Sequence, residues 1–411
     1  MDISTSNTAD DNAATPTFMQ DMRIIGLIGF AHFFSHFYIL LLPPLFPILK
    51  QVFGVSYTEL GLLMTAFSAA TGVSQIPIGF LVDKLGGRAL LIGGLAVEGL
   101  AFAAMGFFPS YWTVLMLMMV AGVANGVYHP ADYAILSASV SESRMGRAFS
   151  LHTFTGFLGF AVVPTTILFL SATFGWQMGL VICGAAGVAT AALLMVFARQ
   201  LRDEKSISKS AKEEDPEQAT TSDGMNLLLS RPILMCLAFF TLISLASVGI
   251  NSFLISALNI LHGVTISDAT LALTGYMVGT TIGILLGGFV ADRTRHHNVV
   301  AAICFVITGI MITIVGAVHL PTLAIITLMS VQGVMHGLIM PSRDMIVRSV
   351  TPIGSTGKVF GFVSTGFSVG GMIAPLIFGS ILDHSTPDMM FYAMAAIMAV
   401  SVVSVFTSGR R

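Results

Sequence analysis

The chain has 411 residues, of which 55% are hydrophobic and only 10% charged, with 19 Lys and Arg against 21 Asp and Glu. A soluble globular protein carries about 25% charged residues, so this composition excludes an ordinary water-soluble enzyme, and the lack of a basic excess argues against a nucleic-acid partner. Cys183, Cys236 and Cys304 stand singly inside apolar runs and read as packing residues, not as a disulfide framework or a thiolate metal site.

Taken in chain order, the N-terminal stretch holds Asp2, Asp10 and Asp11 and no basic residue before Arg23, which is not the pattern of a signal peptide. Residues 1–23 are expected to form an uncleaved cytoplasmic tail. A bilayer-spanning helix needs about 20 mostly apolar residues. Twelve segments meet that demand: Ile24–Leu49, Tyr57–Leu81, Ala89–Phe108, Trp112–Val140, Gly146–Thr173, Gln177–Arg199, Pro232–Leu261, Ile266–Val290, Asn298–His319, Pro321–Val350, Lys358–Leu382 and Asp388–Phe406. They predict an all-α integral membrane protein with a six-helix bundle over 24–199, a polar cytoplasmic linker over 200–231, a second six-helix bundle over 232–406 and a short cytoplasmic tail over 407–411. Eighteen of the 19 basic residues fall at the termini or in loops and helix ends on one side, which assigns that side and both termini to the cytoplasm; only Lys50 departs from the pattern.

The halves also resemble each other when displaced by about 210 residues: GFLVDK (Gly79–Lys84) falls on GFVADR (Gly288–Arg293), Gly146-Arg147 on Gly357-Lys358, and Asn125-Gly126 with Pro130 on His336-Gly337 with Pro341. A duplicated bundle with a site between its halves is an architecture of alternating access.

GFLVDKLGGR (Gly79–Arg88) resembles the motif after the second helix of the major facilitator superfamily, and Gly288–Arg293 resembles its weaker second copy. The resemblance implies two pseudo-symmetric bundles that rock about a cavity lined mainly by helices 1, 4, 7 and 10. It also implies a conformational role for Gly79, Asp83, Lys84, Gly87, Arg88, Gly288, Asp292 and Arg293. Within the superfamily, VYHPADYAILS (Val127–Ser137) and AHFFSHFYILLLPPLFPIL (Ala31–Leu49) are similar to the fosmidomycin-resistance branch of exporters. The chain departs from that branch at Ser35-His36, where the branch has Asn-Asp, and at Ala131-Asp132, where the acidic residue comes one position late. The helix 4 arginine of proton-driven drug antiporters is missing from AGVANG (Ala121–Gly126).

An ionisable side chain inside a membrane is costly and is by default a functional candidate. His32 and His36, spaced i,i+4, share one face of helix 1 and titrate in the range a coupling proton needs, or else are neutral and bonded to hydroxyls such as that of Ser35. Asn125, His129 and Asp132 form a polar stripe on helix 4; Gln332, His336, Arg343 and Asp344 form its counterpart on helix 10. Arg343 is the candidate for an anionic group, because a guanidinium offers two parallel donors, with Asp132 and Asp344 as its partners when the site is empty. The alternative is that these charges form salt bridges at the cytoplasmic mouth without touching substrate. Asn251 on helix 7 is a neutral contact, and Phe34, Tyr38, Tyr128 and Tyr276 are possible cavity walls. Glu98, on a helix expected at the bundle periphery, reads as a protonated, hydrogen-bonded carboxyl and a second-rank proton candidate, and His152 reads as a packing histidine or else as a member of the cytoplasmic network.

The expected function is secondary active transport of a small, anionic organic solute through a bacterial-type inner membrane, by a monomer, with protons as the coupling ion and no cofactor or metal. The branch resemblance favours export of a toxic compound; Arg343 and the missing antiporter arginine suit a proton-coupled importer of a carboxylate nutrient. A remote alternative is an intramembrane metal enzyme built on His32/His36 and His296-His297. No phosphate-binding loop at P-loop spacing is present, which disfavours direct ATP drive.

Overall fold

A computed structural model describes residues 17–141, 144–201, 226–352 and 356–408. The tails, the centre of the linker and two short loop segments lie outside the described residues. Among the described residues, twelve helices are long and apolar enough to cross a membrane, in agreement with the spans read from the sequence. They are α1 (Phe18–Phe53), α2 (Tyr57–Leu85), α3 (Gly87–Phe107), α4 (Tyr111–Ser139), α5 (Met145–Phe174), α6 (Trp176–Val196), α7 (Arg231–His262), α8 (Ile266–Arg293), α9 (His297–Ala317), α10 (Thr322–Val350), α11 (Thr356–His384) and α12 (Asp388–Ser408). The end of the molecule that holds Phe18 and Ser408 is termed proximal below, and the opposite end distal.

Two spans are broken where proline dictates it. Regular helix in α1 stops at Ile39 and resumes at Phe46 through a short 3₁₀ turn, Pro43–Leu45. Proline lacks the N–H that the ladder needs and its ring clashes with the carbonyl four residues back, which for Pro43 is Ile39. By the same rule Pro130 acts on Gly126, and α4 divides there into Tyr111–Asn125 and Tyr128–Ser139.

Lipid gives no hydrophobic drive for helix association, so close backbone approach through small residues and dispersion contacts supplies it. The extensive pairings in the first half are α1 with α5, α2 with α4 and α3 with α6. The second half repeats them six helices on: α7 with α11, α8 with α10 and α9 with α12. The halves meet through α2 with α11 and α5 with α8, a pair of contacts that exchange under the same relation. This is the pseudo-two-fold arrangement that the internal repeat predicts.

At the α3–α6 contact, a Cβ on Gly99 would stand 2.6 Å from the Gly184 carbonyl oxygen and 3.0 Å from the Val188 nitrogen. Gly93, on the same helix, faces open space. Gly99→Leu is therefore expected to force the helices apart and cost about 1–3 kcal/mol, whereas Gly93→Leu should be nearly silent. Thermal unfolding of the two variants in detergent checks the contrast; equal midpoints would contradict the packing.

The contacts between halves concentrate distally. The Asp383 carboxylate at the end of α11 accepts from the Tyr57 N–H (2.9 Å), the Thr58 N–H (2.7 Å) and the Thr58 hydroxyl (2.7 Å) at the start of α2. Lys50 Nζ lies 3.7 Å from the same carboxylate and 4.3 Å from the Tyr57 ring, which accounts for the one basic residue that breaks the charge pattern. Phe253 packs on Phe46 and Tyr57, and the Thr165 and Thr274 hydroxyls meet at 3.0 Å. Proximally, Asp21 accepts from Ser141 and Arg144, Arg88 donates to the Ala198 carbonyl, and Arg23 lies over the Phe197 ring, all within the first half. Among the described residues, these side-chain contacts thus hold the two halves together at the distal end.

Candidate functional site

The first half gathers four histidines and a carboxylate from three helices. On α1, His32 and His36 lie with ring centroids 4.7 Å apart, as their spacing predicts. Gly156 of α5 makes room for both, since a Cβ there would stand 2.9 Å from the His32 ring and 3.0 Å from the His36 ring. One turn earlier on α5, His152 stacks on His32 at 3.6 Å, and its Nε2 hydrogen-bonds Asp132 Oδ2 of α4 at 2.9 Å. The same Oδ2 lies 3.2 Å from His32 Nδ1. His129 completes the group with its ring 5.1 Å from His32 and 6.1 Å from Tyr133. His32, Asp132 and His152 are buried, while His129 and Tyr133 are exposed. Tyr133 is within range of the Asp344 charge on α10, so this exposed face of α4 looks across the gap between the halves.

Three expectations are corrected here. Asp132 does not pair with Arg343; the short turn from His129 aims it at α1 and α5, between two imidazoles. His152 is no bystander in packing but the hydrogen-bond partner of that carboxylate. Glu98 is not peripheral: α3 packs on α4 and α6, which turns Glu98 inward, fully buried, to accept from the Asn125 amide (3.0 Å) and the Tyr128 hydroxyl (2.8 Å). Asn125 also reaches Ser35 Oγ at 3.1 Å, which ties the Glu98 network to α1 beside the histidines.

The second half carries a different chemistry. Arg343 of α10 lies over the rings of Phe240 (4.6 Å, α7) and Phe367 (5.1 Å, α11), and its guanidinium pairs with Asp344 at 2.8 Å and reaches Met340 Sδ at 3.1 Å. Of the two partners expected for it, only Asp344 is engaged. Two aromatic faces and a neighbouring carboxylate leave a planar cation held in place yet partly open. Deeper along α10, His336 contacts the Ser247 hydroxyl at 3.2 Å beside Tyr276. The Gln332 side chain is buried with neither its amide oxygen nor nitrogen bonded, and Asn251 Oδ1 is likewise unpartnered. Phe34, Tyr38, Tyr128 and Tyr276 are core residues and do not wall the cavity.

The loop motif behaves in parts as its glycines demand. A Cβ on Gly87 would come 3.1 Å from the Ala131 carbonyl oxygen, so this glycine lets α3 approach α4 just beside Asp132. Gly79 and Gly288 face open space, Lys84 and Arg293 are exposed, and Arg88 ties α3 to the end of α6. The side chains of Asp83 and Asp292 lie outside the described residues. His296 and His297 stand at the start of α9, in the second half, and do not join His32 and His36.

Twelve spanning helices in two related halves, held together at the distal end, define a multi-pass membrane protein of the alternating-access class. The family model of the Major Facilitator Superfamily matches residues 28–260 and 237–410, and the chain belongs to that family. It is similar to the fosmidomycin resistance protein of Escherichia coli, at 23% identity with 97% of this chain and 96% of that protein covered. It is also similar to a probable sulfoacetate transporter of Cupriavidus necator, at 24% identity with 87% and 86% covered. Among solved structures, a bacterial homologue of the human lysosomal transporter Spinster, inward-facing and occupied, superposes with a TM-score of 0.79 at 12% identity over 96% of this chain and 98% of that one.

Proposed function

We propose that this transporter moves a small organic anion by alternating access, coupled to protons. One observation carries the reading. At repeat-equivalent positions of α4 and α10, each 7 residues from its helix end, stand a buried carboxylate between two imidazoles and an arginine between two aromatic rings. That depth is about 10 Å from the proximal surface. The arginine offers parallel donors to a carboxylate, sulfonate or phosphonate. The carboxylate and its histidines offer sites that take up and release a proton. The unpartnered groups of Gln332 and Asn251 supply one amide donor group and two acceptor oxygens for neutral parts of the solute.

Export of a toxic compound is the favoured direction, supported by likeness to a resistance protein. Uptake of a carboxylate is the second reading, favoured by Arg343 and by likeness to a probable transporter of sulfoacetate, an anionic solute by its name. The excess of basic residues on the proximal side supports a cytoplasmic location of both termini in an inner-membrane protein, and the two halves form a complete pathway within one monomer.

Arg343→Ala is expected to raise the apparent KM for the solute at least tenfold, since a charged hydrogen bond is worth about 1.5–3 kcal/mol. Arg343→Lys should recover only part of this, because an ammonium lacks the two-pronged geometry. The concentration dependence of transport in proteoliposomes measures both; an unchanged KM in Arg343→Ala would remove Arg343 from the binding site.

A further inference from the structure

The histidine cluster of the first half has a chemistry that proton transfer does not exhaust. We propose that His32, His152 and Asp132 form a binding site for a divalent first-row transition-metal ion, represented by Zn²⁺, with His129 as the fourth ligand. The inference stands on geometry and does not rest on the coupling mechanism proposed above.

One ring nitrogen each of His32 and His152 and one Asp132 oxygen lie within 4.8 Å of one another, and all three residues are buried. Two of the separations are 2.9 and 3.2 Å. A tetrahedral zinc ion with ligand bonds of about 2.0–2.1 Å places its ligand atoms about 3.3 Å apart, so these contacts already have the required scale. The polar contacts of the cluster are incomplete: Asp132 Oδ1 makes no hydrogen bond although it is buried, and His32 Nδ1 has only the 3.2 Å ion-pair contact with Asp132 Oδ2. Buried polar atoms are nearly always satisfied, and an unpartnered carboxylate oxygen among imidazoles suits a cation as its partner. The donor set, two or three imidazole nitrogens with one carboxylate oxygen, is the one that zinc and its neighbours take.

Binding requires the stacked His32 and His152 rings to splay, so that both lone pairs meet one point. His129 supplies the route of entry. It is exposed, sits on the face of α4 that looks into the gap, and has its ring 5.1 Å from His32 and 6.3 Å from His152. His36 has its ring 4.7 Å from His32 and 6.5 Å from His129 and packs on Phe160 at 4.4 Å; it is assigned as a neighbour rather than a ligand. A bound ion would bridge α1, α4 and α5 and occupy the lone pairs that a proton would otherwise use, so metal and proton compete.

The test uses the full chain, purified with a tag that contains no histidine, equilibrated with ZnCl₂ and freed of excess ion by dialysis. The expected result is one Zn²⁺ per chain, with X-ray absorption showing at least two imidazole ligands at about 2.0–2.1 Å. His32→Ala and His152→Ala are each expected to lower the affinity about 10–100-fold, and a double variant with His296→Ala and His297→Ala to leave it unchanged. CoCl₂ in place of zinc should give the intense visible bands of a four-coordinate ion in the wild type and lose them in His152→Ala. The proposal is overturned if the wild type retains no ion, if its absorption spectrum shows fewer than two imidazoles, or if the His296/His297 variant is the one that loses it. The spectrum of the wild type decides the matter even where a variant fails to fold. None of these readouts involves transport, so a negative result leaves the proton-coupled reading untouched.

Discussion

Asp132→Asn is expected to uncouple transport, with proton movement driven by the solute lost at least tenfold while exchange of solute across the membrane persists. The Asp132 side chain is fully buried, and its Oδ2 is shared between His152 at 2.9 Å and His32 at 3.2 Å. An amide of the same shape keeps the packing and one acceptor but carries no charge and has no carboxylate oxygen to take up a proton. The proposed solute contacts on α7 and α10 are untouched by the change. Proteoliposomes with an internal pH indicator and a labelled solute report the two quantities separately. Loss of both together would mean that Asp132 holds the fold, and retention of both would take the proton pathway away from it.

The second large effect is expected at the other end of the molecule. The Asp383 carboxylate accepts three hydrogen bonds from the first turn of α2, across the boundary between the halves, with Lys50 alongside. Anions at a helix N-terminus are favoured by the unpaired N–H groups and the dipole there. These bonds exist only while the distal end is closed, so they weight the equilibrium toward the state described here. Removing them with Asp383→Ala should shift the ratio of distal-open to distal-closed molecules at least tenfold, taking about 1.5 kcal/mol as the smallest value for a charged hydrogen bond. Spin labels at Ser110→Cys and Thr386→Cys, on exposed distal positions of the two halves, measure it. A second, longer distance should appear or grow in the variant, and an unaltered distribution would show that the latch carries no weight.

The architecture was legible in the sequence because the bilayer imposes it. Twelve apolar runs of spanning length, a displaced repeat and a one-sided distribution of Lys and Arg are each consequences of lipid as a solvent. The breaks in α1 and α4 were not read from the sequence, and proline alone does not mark them, since Pro341, the repeat counterpart of Pro130, sits inside the unbroken α10. What the sequence did not announce is which polar residues meet. His32 and His36 were visible as a pair because a single helix brings them together. His152 joins them through the register of α5 on α1, fixed by Gly156, and no local pattern expresses that register. Asp132 and Arg343 occupy equivalent repeat positions, which suggests mutual pairing, yet each finds its ionic partners within its own half. Glu98 was misplaced because α3 was treated as a peripheral helix, whereas one of its faces lies against α4 and α6. Lys50 looked like an exception to topology and is instead part of the distal latch.

Uptake into liposomes that carry an internal pH indicator, screened across small carboxylates, sulfonates and phosphonates under an imposed pH gradient, tests the central claim most directly. Coupled transport of an organic anion predicts that at least one of these solutes moves, that its movement changes the internal pH, and that both signals weaken in Arg343→Ala. A solute that moves with no pH change, or with the same kinetics in the variant, would contradict it.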